Sequence, residues 1–520
     1  MLAPAALAAP TVTANVNVDL DHGLAFPQNK QNEPSIVRDP QTGVLVAGAN
    51  DELSLNLCRG ATAPLTSPCP FEPLGSPISA FYRSTDNGQT WTGGYLPGFD
   101  TIGRNSGGDP SLDVGPRRCR NGRVAYSCGT VVYYASLADP FPEFGGEQVT
   151  VSRSYDDGAR WANPVAATST DNKSDFDDHE WIAADKSPSS PWFGRIHVFW
   201  ADYCNTCSGN GRVKLYLAHS DDEGRTWSKA VQVSGAAFNL VQGQTETGQL
   251  AVASDGTVEA FWTAHADSKG KYPSTQVVVV SKDGGETFSA PVTISGVTDY
   301  PLLGTPFDVV DLFNRVPGMS ARVDCYPHPA SDPTSTKVYV VWCDFSGGVG
   351  TVKGAVSSDG FTWQTLNVAS VFGRNAFFPA IDVSPKGLAS VAFDALTAPP
   401  AGDPWQTGQQ VYDAYYTQLA PGASAFGPVV RLSTASSNPD ASSYNNLMEQ
   451  FIGDYIDIAA GPATSYAVWT DARAAATCAA VDAYRSAVYA GSKTAVAPNP
   501  DRVCALGFGN TDTELGIVNQ

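Results

Sequence analysis

Ser84-Thr85-Asp86-Asn87-Gly88-Gln89-Thr90-Trp91 is an octapeptide that recurs along this chain. It returns as Ser154-Tyr155-Asp156-Asp157-Gly158-Ala159-Arg160-Trp161 and as Ser220-Asp221-Asp222-Glu223-Gly224-Arg225-Thr226-Trp227. A fourth copy is Ser281-Lys282-Asp283-Gly284-Gly285-Glu286-Thr287-Phe288, and a fifth, Ser357-Ser358-Asp359-Gly360-Phe361-Thr362-Trp363, is one residue shorter. The aspartates stand 70, 66, 61 and 76 residues apart, the kind of period that marks an array of supersecondary units. The octapeptide has the chemistry of a hairpin turn: Asp accepts backbone N–H groups, Gly supplies positive φ, and the aromatic ring packs beneath. Asp86, Asp156, Asp222, Asp283 and Asp359 are therefore read as structural.

Each copy follows a β-rich run, such as 148–154 (QVTVSRS) or 213–220 (VKLYLAHS). Upstream lies a second repeat, a short strand, a turn and a strand that ends in an aromatic and an acid. Its clearest copies are Trp200-Ala201-Asp202, Trp342-Cys343-Asp344, Phe393-Asp394 and Trp469-Thr470-Asp471, with Trp262 and Asp51 as looser members. First strands are read at 34–39, 110–115, 180–185, 248–254, 319–324, 379–384 and 454–459. Helical periodicity of useful length is not seen. The expectation is an all-β chain, a β-propeller of four-stranded antiparallel blades, with seven blades favoured over six. The sixth unit lacks the octapeptide and the seventh is incomplete, so 13–20 (TANVNVDL) is expected to complete the last blade. Residues 1–15 are read as a signal remnant or disordered N-terminus, 16–495 as one propeller domain, and 496–520 as a tail tied back by a disulfide.

The chain has 520 residues, with 32 basic against 52 acidic side chains and a formal charge of −20. That balance excludes generic nucleic-acid or anionic-membrane binding, which needs a basic surface. No run of about 20 apolar residues reads as a membrane span. The ten cysteines fall as sequence neighbours, which predicts the pairs Cys58–Cys69, Cys119–Cys128, Cys204–Cys207, Cys325–Cys343 and Cys478–Cys504. Such pairing points to an oxidising compartment and a secreted protein.

Topology narrows the site. In a four-stranded blade the octapeptide turns lie on one face, while the starts of the innermost strands and the ends of the second strands lie on the other. The funnel on that second face is the default binding site. Before the first strands stand Glu33, Asp109, Asp177-Asp178-His179-Glu180, Glu246, Arg315, Arg374 and Glu449. After the second strands stand Asp51, Asp202, Asp344, Asp394 and Asp471 with Arg473, and the seventh unit adds Asp454-Tyr455. Paired carboxylates, a tyrosine and three arginines suit glycoside chemistry. The plain alternative is that these acids cap turns, Arg473 pairs with a strand-end acid, and His179 and Tyr455 are structural. Carboxylates also suit Ca²⁺, and Asp51-Glu52 with Asp221-Asp222-Glu223 make a structural calcium ion an expectation, with no other cofactor required.

The octapeptides resemble the Asp-box, or BNR repeat, of sialidases and related propellers, over roughly residues 34–492. The blocks 177–185 (DDHEWIAAD) with 194–203 (GRIHVFWADY), and 451–461 (FIGDYIDIAAG) with 467–473 (AVWTDAR), look like those of secreted bacterial sialidase-like proteins. The resemblance implies an exo-glycosidase on terminal or acidic sugars, with a carbohydrate or glycoconjugate as partner. It implies Tyr455 or Tyr444 as nucleophile, Glu449 as its activating base, and Asp178 or Glu180 as acid/base. Arg315, Arg374 and Arg473, picked by their places on adjacent blades and not by a motif, would hold a sugar carboxylate, with His179 beside them. The Phe/Tyr-Arg-Ile-Pro motif of sialidases is absent; the first unit reads Glu33-Pro34-Ser35-Ile36-Val37-Arg38. Two other classes fit the same residues: a non-catalytic propeller that binds glycan or protein, and a uronate polysaccharide lyase with His179 or a tyrosine as base.

Overall fold

The computed structural model describes residues 9–19, 27–52, 78–140, 146–168, 175–204, 213–234, 245–265, 273–301, 314–323, 326–371, 373–398, 410–444 and 447–520. Its strands form seven four-stranded antiparallel sheets, the blades of a propeller. Blades one to six run in chain order from their innermost strands, which are Gln31–Arg38, Arg104–Pro116, Asp175–Ala184, Thr245–Val252, His328–Ser331 and Ala376–Val383. Blade seven is assembled from both ends of the chain. Asp457–Ala460, Thr464–Asp471 and Asp512–Asn519 are its first three strands, and Thr11–Asn17 is its outermost. The ring is thus closed by backbone hydrogen bonds between the two termini, with Thr11 opposite Asn519. The first of these terminal strands begins before residue 16 and the other lies beyond residue 495.

The blades stack face to face, so both faces of a strand are buried and the alternation of apolar with polar residues disappears. The run Val277-Val278-Val279-Val280 shows the consequence. Val277 and Val279 pack with Phe199, Leu215 and Leu217 of blade three. Val278 and Val280 pack with Val338, Val340 and Trp342 of blade five. Burying side chains of this kind contributes about 1.5–3 kcal/mol each.

The octapeptides connect third to fourth strands in blades one to five. In the third copy the Asp222 carboxylate accepts from the Arg225 amide (3.0 Å), the Thr226 amide (2.8 Å) and the Thr226 hydroxyl (2.7 Å). Ser220 Oγ donates to Asp222 Oδ1 (2.8 Å) and accepts from the Gly224 amide (2.9 Å), and Gly224 takes φ 75°. Trp227 then folds under the turn against the interface of blades two and three. In the first copy the Thr90 hydroxyl and amide hold the Asp86 carboxyl down to about 2.

Innermost strands leave one row of N–H groups facing the axis, and these must be paired. Side chains of one blade pair the strand of the next. Ser35 Oγ accepts from Leu112 N (3.2 Å), Ser111 Oγ from Ile182 N (3.0 Å) and Asp113 Oδ2 from Ala184 N (2.7 Å). Asp382 accepts from Ala460 N (2.7 Å), and Asp457 accepts from Ile36 N (2.9 Å), which carries the same device across the closure.

Two expectations are corrected. The innermost strand of blade five is His328–Ser331, not 319–324. Met319, Ala321 and Val323 are buried in the core shared by the later blades, and that alternation mimics a strand. A helix, Ala479–Tyr489, stands between the second and third strands of blade seven, with a short one at Pro500–Val503. Only Val481, Arg485 and Val488 of the longer helix are buried, a stripe too brief to show as periodicity. The Cys478–Cys504 bond ties this insertion together, and Cys119–Cys128 closes a loop of blade two. Cys204 and Cys343 are disulfide-bonded. Their expected partners Cys207 and Cys325, and the pair Cys58–Cys69, lie outside the described residues.

Candidate functional site

The funnel is built by one repeated distortion. Register shifts interrupt the innermost strands between Asn32 and Ser35, Gly108 and Ser111, Asp178 and Trp181, and Phe377 and Ala380. At each bulge one residue takes left-handed backbone: Glu33 (φ 54°), Asp109 (φ 52°), His179 (φ 50°) and Phe378 (φ 47°). The corresponding residue of blade seven is Gly453, at φ 81°. Bulges re-aim side chains, and non-glycine residues in this region carry strain that surrounding structure must hold in place. Here they turn Glu33, Asp109 and His179 towards one another.

Asn50, at the end of the second strand of blade one, ties the first two together. Its Nδ2 donates to Glu33 Oε2 (2.6 Å) while its Oδ1 accepts from the Asp109 amide (2.7 Å). The Glu33 and Asp109 carboxyls hydrogen-bond each other. Burial, with the charge of Asp454, pushes Glu33 up to about 7. Burial and the neighbouring Glu33 push Asp109 well above the usual carboxyl range, so the pair shares a proton. Beside it lies Glu180, only 4% exposed, and neither of its oxygens receives a donor from another residue among the described residues. Burial, then Asp109, raise its pKa well above the ordinary carboxyl value. A second carboxyl pair, Asp139 with Glu147, borders the same cluster; burial carries them to about 6 and about 9.

Aromatic rings pack beside the carboxyl cluster. Trp181 meets His328 edge-on at 5.3 Å and Tyr455 at 6.5 Å, and His179 leans on Tyr326 at 5.4 Å. Burial holds His328 at about 3, so its ring is neutral. Tyr455 Oη donates to the Pro110 carbonyl (3.3 Å), and burial followed by Asp109, Glu33 and Glu180 drives its pKa well up. It is a neutral phenol.

Among the predicted site residues, Asp178, His179, Glu180 and Tyr455 come together here, with Glu33 and Asp109. Glu449 does not join them; it pairs with Arg315 at 2.9 Å. Arg315 is buried and also donates to the Ser320 carbonyl (2.9 Å). Arg374 lies beside Tyr415 of its own blade, within its electrostatic reach. Arg473 clasps Asp471 through Nε (2.9 Å) and Nη2 (2.8 Å) and reaches Glu514 at 3.2 Å. The three arginines are thus each engaged by partners of their own. The guanidinium that does face the cluster is Arg322, missed by the sequence reading because it falls within 319–324. It binds Asp454 through two bonds (2.7 and 2.5 Å) and lies over Phe451 (4.9 Å) and Tyr444 (5.7 Å). The proton-sharing between Glu33 and Asp109 was equally invisible, since 76 residues separate them; the paired Glu-Pro-Ser and Asp-Pro-Ser triplets were its one local sign.

The acids that suggested calcium are occupied by protein donors. Asp51 accepts from Gln31, Tyr82 and Tyr95, and Glu52 pairs with Lys30 at 3.1 Å. Asp221 binds Arg195, and Glu223 binds Arg225 and the Arg118 amide. Among the described residues no group of three or more His, Cys, Asp or Glu is arranged to hold a metal ion. No helix of the described residues is long and apolar enough to cross a membrane.

No family model matches the chain, and no curated protein matches it in sequence. Solved structures do. One is a protein of unknown function from Dyadobacter fermentans, 12% identical, with 98% of this chain and 99% of that chain covered and a TM-score of 0.45. Another is the leech intramolecular trans-sialidase, at 12% identity, 73% and 67% coverage and a TM-score of 0.43. A third is the GH93 alpha-L-arabinofuranosidase of Fusarium graminearum, at 14% identity, 74% and 92% coverage and a TM-score of 0.43.

Proposed function

We propose that this chain is a secreted glycoside hydrolase that admits a terminal sugar to the funnel. One observation carries the reading: Glu180, a buried carboxyl with no donor from another of the described residues, stands among further carboxyls and near Tyr455, which meets Trp181 edge-on. A protonated acid in a desolvated site is what donation to a glycosidic oxygen requires. Glu180 is the general acid, and Asp178 supplies the second carboxyl group of the pair. Trp181 offers a ring face for the sugar. In the sialidase-type version Tyr455 would attack the sugar, Glu449 would activate it, and Arg315, Arg374 and Arg473 would hold a carboxylate. The Tyr455–Pro110 and Arg315–Glu449 bonds favour the two-carboxyl version. The disulfides fit a secreted protein.

The test is turnover on a panel of aryl glycosides, including a sialoside and polyuronides, by the full chain and by Glu180→Gln. Cleavage of at least one glycoside, reduced about 10²–10⁴-fold by the substitution, is expected. Silence across the panel, or a Glu180→Gln protein as fast as the parent, overturns the proposal. The network joining Glu33, Asn50 and Asp109 favours a second reading, a binding propeller without turnover.

A further inference from the structure

The charge of the funnel points to a substrate class, which rests on the hydrolase reading and deepens it. Carboxyl groups crowd here at a cost, since each lies within electrostatic reach of the next: Glu33 of Asp109, Asp109 of Asp178, and Glu180 of both aspartates. The nearby cations offset the crowd only in part: His179 acts to lower Asp109 and Arg322 to lower Glu33, yet both carboxyls stay raised. Arg322 is committed to Asp454 by two bonds. Arg104, on the other side, donates to the Ala138 and Gly146 carbonyls (2.8 and 2.9 Å). A sugar carboxylate brought into this funnel would meet like charge and buried acid, with no unengaged guanidinium beside it among the described residues. A cation would meet its complement.

The acidic cluster does not stand alone as evidence. Glu180 is a buried side chain inside it whose two oxygens have no donor from another of the described residues, and a buried carboxyl without a partner is costly unless a ligand supplies one. Asp109 and Asp178 are half-buried, while Glu33 and Glu180 are buried. Trp181 and Tyr455, partly buried and in edge contact beside the cluster, supply the apolar surface a sugar ring needs and a bare cation does not. We infer that the funnel selects a sugar that carries a protonated amine, a 2-amino-2-deoxy hexose at the end of a chain, with its ammonium group between Asp109 and Asp178 and its ring on Trp181. Seating that ammonium displaces the proton shared by Glu33 and Asp109, which passes to the buffer.

The experiment is titration calorimetry of the full chain at pH 6.5, in phosphate and in imidazole, with the β-1,4 dimer of glucosamine, its N-acetylated form and spermidine as probes. The expected result is at least tenfold tighter binding of the free-amine dimer than of the acetylated dimer. Its enthalpy should differ between buffers by the amount that net proton release requires. Asp109→Asn should weaken the amine dimer about tenfold and abolish the buffer dependence. Asp178→Asn, at a half-buried position, should weaken it while the protein keeps its melting temperature. Equal or tighter binding of the acetylated dimer overturns the inference, as does no binding of the amine dimer. Spermidine bound as tightly as the dimer overturns the sugar assignment. Amine-selective binding with no cleavage of any glycoside would support the inference and remove the hydrolase. Cleavage of neutral glycosides without amine preference would do the reverse.

Discussion

Glu33 and Asp109 occupy the same bulge in neighbouring blades, both on left-handed backbone, and hydrogen-bond each other carboxyl to carboxyl. Glu33 ionises at about 7 in the folded chain against 4.5 for an ordinary glutamate. The folded state therefore holds a proton that the unfolded chain has released between those values. By linkage, the stability this group contributes is complete below about 4.5 and is lost as pH rises through about 7. The melting temperature should fall between pH 5 and pH 8. Glu33→Gln should flatten that slope and raise the pH 8 value by about 1–3 °C. Unchanged slopes in the variant would show that the pair does not share its proton.

Asp222 sits on the face away from the funnel, and its carboxylate accepts four hydrogen bonds within its own turn. Asp222→Ala should cost about 1–2 kcal/mol of stability, because the turn loses its acceptor. Turnover or binding at the funnel should be untouched. Denaturant unfolding measured beside activity checks both halves, and a tenfold loss of activity in a folded variant would put the site on the wrong face.

Arg485, on the inserted helix, is buried and donates to the carbonyls of Leu447 (2.9 Å), Ser442 (2.8 Å), Asp440 (3.1 Å) and Glu449 (3.1 Å). It clamps the segment that carries Tyr444 and Glu449 to the rim. Arg485→Met should destabilise by about 2–4 kcal/mol, since several buried carbonyls lose a charged donor. Opening Cys478–Cys504, which spans 26 residues, should cost about 3 kcal/mol through the freedom returned to the unfolded chain. Thermal unfolding of Cys478→Ser with Cys504→Ser measures the second, and a shift in KM with kcat held would show that the clamp shapes the funnel.

The acids at 51–52 and 221–223 are bound to tyrosine, lysine and arginine donors. Chelation with EDTA should therefore leave the melting temperature within about 1 °C. A larger drop, restored by Ca²⁺, would reveal an ion held elsewhere in the chain.

The propeller was legible because its decisive chemistry is local. Ser220, Asp222, Gly224 and Trp227 lie within eight residues, so a turn that satisfies its own hydrogen bonds is written contiguously and repeats with the blade. Strand order alone put Asp178, His179, Glu180 and Tyr455 at one end of the blades, and the fold brings them near one another. What sequence reading assigned amiss had local causes too. Met319, Ala321 and Val323 alternate as a strand does while packing as core, and Arg322 between them was passed over.

Tertiary structure decided the rest, because charge partnership depends on distance in space. Only the ring of blades brings Asp109 to Glu33, Tyr455 to Pro110, and Trp181 to His328. Only folding showed that Arg315 and Glu449, 134 residues apart, are each other's partners, and that Arg473 belongs to Asp471. A chain states which groups it carries and the turns they make with near neighbours. Whether a carboxyl is ionised, shared or left without a donor is settled by burial and by groups that arrive from other blades.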